Sequence, residues 1–336
     1  MRIGILGANF KTTNINLREK IDHACQKFFP QISWQRDKGY ILLSTCNRCE
    51  IYFSGENLAE IHEVLLNLFR KEIQDEFEPF LYSYFGADAF FHLAKVTSGL
   101  DSAILGESEI QGQVKRAYLH YSKKFTLPSS LHFIFQKSLK IGKNIRSHSI
   151  LFPKTPSLCN EIDRLASILL PKLSPSLFFL GNSKINQNLI LFFQKKGIKQ
   201  IALCSRHPIS EKYLYNAQIK HIPWHRKDQW MQYDMVIAAA RNANFVIEEP
   251  LTGNIQTKIL FDLGVPRNIQ ASLEKNPFLH FFNLEHLEKF FEKNNQRYGN
   301  NIQLCEAEIK NTIIKYYTSF KLKQQKFAPQ ASNYLY

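Results

Sequence analysis

A cysteine and an arginine stand close together in the segment Ser44–Arg48 (STCNR), between two short runs of β-forming residues. A tight connection would hold Cys46 rigidly at the strand ends, and the Arg48 guanidinium would favour the thiolate, the nucleophilic form of cysteine. A small buried cysteine is the alternative, because burial is the common fate of this residue type. Cys49 adds two others, half of a zinc site or a redox pair. Zinc would need a second ligand pair, and the remaining cysteines are scattered singly along the chain.

Further polar groups follow in one helix and one loop. His92 lies among apolar residues of a predicted helix over Ala87–Ser98, where a structural histidine is the alternative to a catalytic one. The segment Gly99–Gln113 places carboxylates, hydroxyls and amides around three glycines, so it can bend sharply and present several polar groups together. An ordinary loop capped by Ser108 or Glu107 is the alternative.

A possible nucleotide loop, Gly181–Asn186 (GNSKIN), lies between a predicted strand and a predicted helix, where a dinucleotide fingerprint belongs. Only the first of the three usual glycines is present, and Ser183 stands where the second would be. Arg206 follows the next strand in place of the acidic residue that binds the ribose of NAD. A cation there suits the 2′-phosphate of NADP.

The predicted elements would position these groups in separate domains. Short strands over Arg2–Gly7, Tyr40–Thr45 and Cys49–Phe53 are combined with amphipathic helices, which indicates a mixed α/β domain. Beyond the prolines that follow residue 151, repeated strand–helix–strand units are typical of a doubly wound parallel sheet. The last part of the chain is helical and polar. We therefore predict domains over 1–150, 151–283 and 284–336.

The composition indicates the class of partner. Lys and Arg number 43 against 29 Asp and Glu, a formal net charge of +14, and the 44% hydrophobic content excludes a disordered chain. The segment Ile110–Asn160 contains no acidic residue and nine basic ones. This charge suits a polyanionic ligand, and a generally basic surface is the equally open alternative. The basic residues are Lys115, Arg116, Lys123, Lys124, Lys137, Lys140, Lys143, Arg146 and Lys154.

Six cysteines are too few for a disulfide scaffold, and no apolar run could span a membrane. We therefore expect a soluble cytoplasmic protein.

Together these segments resemble the glutamyl-tRNA reductase family. The resemblance is carried by LREK (17–20), LSTCNRCEIY (43–52), GLDSAILGESEIQGQVKRAY (99–118), FQKSLKIGKNIR (135–146) and FDLGVPRNI (261–269). It implies an N-terminal α/β catalytic domain, a Rossmann-type doubly wound NADP domain and a long C-terminal spine helix. It also implies NADPH-dependent reduction of glutamyl-tRNA to glutamate-1-semialdehyde, the first step of tetrapyrrole (porphyrin and haem) biosynthesis.

The same resemblance implies a role for each matched residue. Cys46 would attack the ester carbonyl and form a thioester, Arg48 would bind the glutamate side-chain carboxylate, and His92 would act as a general acid or base. The other implied substrate contacts are Thr45, Asn47, Ser102, Glu107, Ser108, Glu109 and Gln113. The implied NADPH contacts are Gly181, Asn182, Ser183, Lys184, Ile185, Asn186 and Arg206. No metal is expected.

Four departures from the family pattern leave alternatives open. Glu107-Ser108-Glu109 replaces Glu-Pro-Gln, and Phe10-Lys11-Thr12-Thr13-Asn14 replaces His-Lys-Thr-Ala-Pro. The nucleotide loop lacks two glycines, and the chain ends soon after the spine helix. A homodimer is therefore expected to be weakened or differently built. The implied partners are glutamyl-tRNA and a glutamate-1-semialdehyde aminomutase that would receive the unstable aldehyde. One alternative function is a tRNA-binding protein or esterase that has lost efficient reduction. The other is an ordinary small-molecule dehydrogenase.

Overall fold

The structure, a computed structural model, describes residues 2–32, 38–107, 109–147, 157–170, 174–206, 219–242, 244–249 and 256–327. The chain forms two compact units. The first contains residues 1–155 and 292–336, and the second contains residues 156–291. Each unit has its own sheet, the first antiparallel and the second parallel. The predicted fold class, an α/β domain followed by a Rossmann-type domain and a long C-terminal helix, is confirmed.

The first unit is built on a four-stranded antiparallel sheet. Its strands are β1 (Gly4–Asn9), β2 (Gly39–Ser44), β3 (Arg48–Ser54) and β4 (Tyr82–Phe85), in the order β2-β3-β1-β4. Because successive side chains of a strand point to opposite faces, each strand contributes to two different layers. On one face, Leu6, Ile51 and Phe53 pack with helices α1 (Ile15–Phe28) and α2 (Leu58–Glu72).

The opposite face of this sheet carries the larger core. It packs against α3 (Gly86–Ser98), α4 (Glu109–Lys124), α5 (Ser129–Ser147) and one side of the long helix α9 (Gly299–Phe327). Tyr52 and Leu43 from the sheet meet Phe90 from α3 and Ile309 from α9 in this core. Strand β4 was not predicted from the sequence, because it is only four residues long and three of them are exposed.

Two glycines set the geometry of helix α3. A Cβ atom at Gly142 would lie 2.4 Å from the Thr97 carbonyl oxygen, so glycine lets α5 approach α3 closely. Gly99 ends α3 with a φ of +75°, a left-handed conformation that glycine adopts without strain. The Gly106 N–H then donates to the Gly99 carbonyl at 2.9 Å. The loop from Gly99 to Gly106 is therefore closed, and it carries Asp101 toward the sheet.

The second unit is a six-stranded parallel sheet with the order β10-β9-β8-β5-β6-β7. Its strands are β5 (Leu177–Leu180), β6 (Ile201–Ser205), β7 (Ile219–Pro223), β8 (Met235–Ala238), β9 (Lys258–Asp262) and β10 (Leu279–Asn283). Helices α6 (Leu158–Leu169), α7 (Lys184–Lys195) and α8 (Leu284–Asn295) complete the sequence of elements. The strand order reverses between β5 and β8. A crevice at the carboxyl ends of parallel strands forms at such a reversal.

The helices of the described ranges include none that is both long enough and apolar enough to cross a membrane.

Candidate active site

The connection between β2 and β3 is a closed turn with Cys46 at its tip. The Thr45 N–H donates to the Arg48 carbonyl at 2.8 Å, and the Thr45 hydroxyl accepts from the N–H groups of Asn47 and Arg48, each at 3.2 Å. The Phe10 N–H donates to the Asn47 carbonyl at 2.9 Å. Cys46 itself is half-buried. Thr45 therefore shapes the turn that presents the thiol.

A buried carboxylate, Glu50, is the centre of the polar network beside this turn. Arg48 Nη1 donates to Glu50 Oε1 at 2.7 Å, and His92 Nε2 lies 2.8 Å from the same oxygen. The hydroxyls of Tyr52 and Tyr82 donate to Glu50 at 2.6 and 2.5 Å. Although burial raises the pKa of Glu50, Arg48 and His92 outweigh it and hold that pKa well below its usual range.

The missing side chain of Gly7 makes this network possible. Gly7 lies between Glu50 and Tyr82 across the sheet, paired with both. A Cβ atom on Gly7 would lie 2.8 Å from Glu50 Cγ. Glycine therefore leaves room for the Tyr82 hydroxyl to reach Glu50 across the intervening strand.

Asp101 provides a second buried carboxylate for Arg48. The guanidinium donates to Asp101 Oδ2 at 3.2 Å and also to the Asp101 carbonyl oxygen. Lys11 Nζ lies 2.6 Å from Asp101 Oδ1, and Asn9 donates to Oδ2 at 3.2 Å. Burial lowers the pKa of Arg48, but Glu50 and Asp101 outweigh it and raise that pKa above its usual value. Arg48 is only 1% exposed, so its charge is balanced within the protein.

His92 is held by two kinds of contact. Its ring stacks on Tyr84, with centroids 4.9 Å apart and planes at 27°, and it lies 5.2 Å from the Tyr82 ring. A carboxylate only accepts hydrogen bonds, so the contact with Glu50 assigns a proton to Nε2 of His92. In the neutral ring, Nδ1 then carries the lone pair that could accept a proton.

The other predicted substrate residues lie on the closed loop and the start of α4. Ser102 is buried on the loop, and Glu107 is partly buried near its end. Burial raises the pKa of Glu107 to about 7. Glu109 begins α4, and Gln113 is half-buried one turn later. Ser108 lies outside the described residues.

Sequence reasoning missed the partners that complete the network. Glu50, Tyr52, Tyr82, Asp101, Asn9 and Lys11 were not among the predicted site residues. A usable signal existed for two of them, because Arg48, Glu50 and Tyr52 alternate along β3 and therefore share one face. Cys49 lies on the opposite face, where its Sγ is 3.1 Å from that of buried Cys25. The hydrogen bond with Cys25 and burial raise the pKa of the Cys49 thiol, which makes it less reactive.

The second unit has a cavity of about 390 Å³ at the carboxyl ends of β5, β6 and β8. It is lined by Gly181, Asn182, Ser183, Ser205, Arg206, Trp224, Ala239, Ala240 and Arg241. Gly181 has a φ of +89°, and a Cβ atom on it would lie 2.6 Å from Ala240 Cα. The one glycine that this loop keeps is thus required by both conformation and space.

Side chains take over the structural tasks of the two absent glycines. Ser183 caps α7, its hydroxyl accepting from the Asn186 N–H at 3.2 Å. Asn186 is fully buried and donates to the carbonyls of Leu180 and Gly181 at 2.8 and 2.7 Å. The loop is therefore joined to the end of β5 by hydrogen bonds. Lys184 and Ile185 follow in the first turn of α7.

The segment Phe261–Ile269 supports Ala240, one of the residues that line this cavity. Asn268 accepts from the Ala240 N–H at 2.7 Å and donates to the Ala240 carbonyl at 2.9 Å. Buried Asp262 accepts from the N–H groups of Asn268 and Ile269. These contacts hold Ala240 against Gly181, a role that the sequence did not reveal.

Arg206 stands at the mouth of the cavity. Its guanidinium lies over the Trp224 ring, 5.3 Å from the centroid, and donates to Asn242. Arg241 lines the same cavity, so two cations face it. Across the described ranges, no group of three or more His, Cys, Asp or Glu side chains is arranged to hold a metal ion.

Comparison with known proteins identifies the family. Residues 6–149 match the family model for the N-terminal domain of glutamyl-tRNAGlu reductase, and residues 164–290 match that for shikimate/quinate 5-dehydrogenase. A glutamyl-tRNA reductase of Chlamydia abortus is 32% identical over 278 residues, which cover 80% of this chain and 78% of that protein. The chain belongs to the glutamyl-tRNA reductase family. The family predicted from the motifs is confirmed.

Other members of the glutamyl-tRNA reductase family agree with this assignment. A relative from Chlamydia muridarum is 37% identical over 216 residues, covering 62% of this chain and 61% of that protein. The solved glutamyl-tRNA reductase of Methanopyrus kandleri aligns with a TM-score of 0.52 and 21% identity over 97% of this chain and 82% of that one. At that identity the match shows a shared fold.

Proposed function

We propose that this chain reduces glutamyl-tRNA to glutamate-1-semialdehyde with NADPH and releases the tRNA, the first step of tetrapyrrole biosynthesis. The observation that carries the proposal is the Cys46 turn, two residues from an arginine whose buried network includes His92. Family membership supplies the reaction. The network supplies a proton acceptor and fixed charges for it.

The first chemical step is transfer of the glutamyl group to sulfur. Cys46 Sγ attacks the ester carbonyl, the carbon–oxygen bond to the terminal ribose breaks, and a thioester forms. His92 takes the thiol proton at Nδ1 and returns it to the departing ribose oxygen, while Glu50 stabilises the charged ring. Lys11, whose side chain is 49% exposed beside Asp101, attracts the carboxylate of the substrate. Arg48 is buried between Glu50 and Asp101 and holds both carboxylates beside the turn. Thr45, Asn47, Ser102, Glu107, Ser108, Glu109 and Gln113 remain proposed contacts.

The cavity of the second unit is the proposed NADPH site. The cofactor, when bound, supplies the hydride that reduces the thioester to the aldehyde and frees the Cys46 thiolate. Gly181 permits close approach of the loop backbone, with Asn182, Ser183, Lys184, Ile185 and Asn186 completing the proposed loop contacts. Arg206 and Arg241 provide two cations for the 2′-phosphate, which favours NADPH over NADH.

The basic residues of the first unit are the proposed tRNA surface. Lys115, Arg116, Lys123 and Lys124 are exposed on α4, and Lys140 and Lys143 are exposed on α5. Arg146 differs, because its guanidinium donates to the Thr97 carbonyl and to Gln111 within the protein. Lys154 lies outside the described residues. A receiving aminomutase and a homodimer remain predictions.

A single-turnover assay with tRNA carrying labelled glutamate tests the proposal. We expect semialdehyde only with NADPH, label retained on the protein without NADPH, and neither with Cys46→Ser. Cys159→Ser, which changes another half-buried thiol, is the matched control and should retain both activities. Label on the protein, or free glutamate, without any aldehyde would instead indicate a tRNA-binding protein or esterase. Reduction of small acids, unaffected by tRNA, would indicate an ordinary dehydrogenase.

A further inference from the structure

Strand β4 places an exposed tyrosine directly on the proposed catalytic histidine. Tyr82 and Tyr84 project from the same face of β4, since they are two residues apart. Tyr82 is taken into the buried network by its hydrogen bond to Glu50. Tyr84 instead lies nearly parallel to the His92 ring, at 4.9 Å, and 37% of its surface is exposed.

Core packing does not account for this exposed ring. Tyr52, Phe90 and Phe135 belong to the core on the same side of the sheet and are fully buried. The Tyr84 ring contacts the rings of Tyr82 and His92, with centroids 5.4 and 4.9 Å away, and part of its surface stays available. An accessible aromatic ring that is already fixed in orientation is suited to stacking against an unpaired nucleobase.

We propose that Tyr84 is the stacking platform for the terminal nucleobase of the charged tRNA. The inference rests on the proposed function. The reacting ester joins the glutamyl group to the ribose of the terminal nucleotide, so the base on that ribose is within one nucleotide of the carbonyl. Because Tyr84 stacks on His92, a carbonyl that meets Cys46 and His92 would bring that base within reach of the exposed part of the Tyr84 ring. Binding of the base would thereby fix the Tyr84 ring, which in turn fixes the orientation of the His92 ring.

Fluorescence of 2-aminopurine at the terminal position of uncharged tRNA tests the stacking directly. We expect wild-type protein and Tyr84→Phe to quench the fluorescence on binding, because both keep the ring. Tyr84→Leu should bind the tRNA without that quenching. Phe85→Leu changes the neighbouring exposed aromatic, which points to the opposite face, and should quench like wild type. Equal quenching by Tyr84→Leu and wild type would overturn the proposal.

Tyr84 could act by binding the terminal base or by positioning His92. Measuring thioester formation on intact glutamyl-tRNA and on glutamyl-tRNA without its terminal base separates these two roles. Removing the terminal base from glutamyl-tRNA should lower the kcat/KM of wild type about 10- to 100-fold. Tyr84→Leu should show a similar loss on intact glutamyl-tRNA and less than about threefold further loss on the abasic substrate. Equal losses on both substrates would show that Tyr84 only positions His92, and would overturn the proposal. Because quenching needs neither thioester nor NADPH, quenching without any thioester would contradict the proposed function alone.

Discussion

The two candidate sites are stabilised in different ways. In the first unit, buried charges compensate one another, with Arg48 between two carboxylates and His92 on one of them. In the second unit, amide side chains hold the backbone around an open cavity, and the cations stand at its edge. The first site should therefore be sensitive to the loss of any single charge. The second site should be sensitive to any added side-chain atom that pushes Gly181 and Ala240 apart.

Glu50→Gln should give the largest effect. Removing this buried charge leaves Arg48 with less compensation and His92 without its anionic partner, so we expect a loss of about 3 kcal/mol in unfolding free energy. Thioester formation should slow at least about 100-fold. Urea unfolding and single-turnover assays measure the two effects. Glu63→Gln, which breaks an exposed pair with Arg70, should change the unfolding free energy little and leave activity unchanged. Equal stability losses in the two variants would contradict the charge-compensation account.

Gly181→Ala tests the backbone approach in the second site. The added Cβ would meet Ala240 at 2.6 Å in a left-handed conformation, so NADPH binding should weaken about 100-fold by titration. Gly197→Ala is the matched control, because Gly197 has a similar φ of +87° and nothing within 4 Å of the added atom. That variant should lose a little stability and no NADPH affinity. Equal affinity losses in both variants would mean that backbone strain, and not the contact with Ala240, is responsible.

Asn186→Gly restores the glycine of the usual fingerprint and should nevertheless be harmful. It removes the two hydrogen bonds to the carbonyls of Leu180 and Gly181, a loss of about 2 kcal/mol in unfolding free energy. The Leu180 carbonyl keeps the Ala239 N–H as a donor. Asn188→Gly carries the same helix penalty at a half-buried position of α7 and should cost about 1 kcal/mol or less. Thermal or urea unfolding compares them. A more stable Asn186→Gly protein would show that these bonds do not hold the loop.

The smallest effect is expected for Glu107→Gln, and it depends on pH. Burial raises the pKa of Glu107 from 4.5 to about 7, whereas that of Glu50 is lowered. The raised pKa favours the protonated carboxyl in the folded state, so wild type loses stability as the pH rises from 4.5 through 7. Above pH 7 the glutamine variant should be more stable by about 1–2 kcal/mol, allowing for the partial exposure of Glu107, and equally stable below pH 4.5. Urea unfolding across this range provides the measurement, and a constant difference would rule the titration out.

The sequence predicted what depends on local order. The Cys46 turn, helix α3 and the loop before α7 are encoded by neighbouring residues, and their positions agree with the structure. The network around Glu50 could not be predicted in full, because Tyr82 and Asp101 reach it through sheet pairing and loop closure. Arg146 was counted among the nine basic residues that favour a polyanionic ligand. Gly142 lets α5 approach α3 closely, and the Arg146 guanidinium donates to the Thr97 carbonyl instead.

The contact between Gly181, Ala240 and Asn268 also limits how this protein can be re-engineered. Three segments far apart in sequence meet at one place, each fitted to the others. Grafting a glycine-rich loop from a dehydrogenase would therefore import only one part of a matched set. A functional chimera should exchange all three segments together, and a library varied at a single segment should yield few binders.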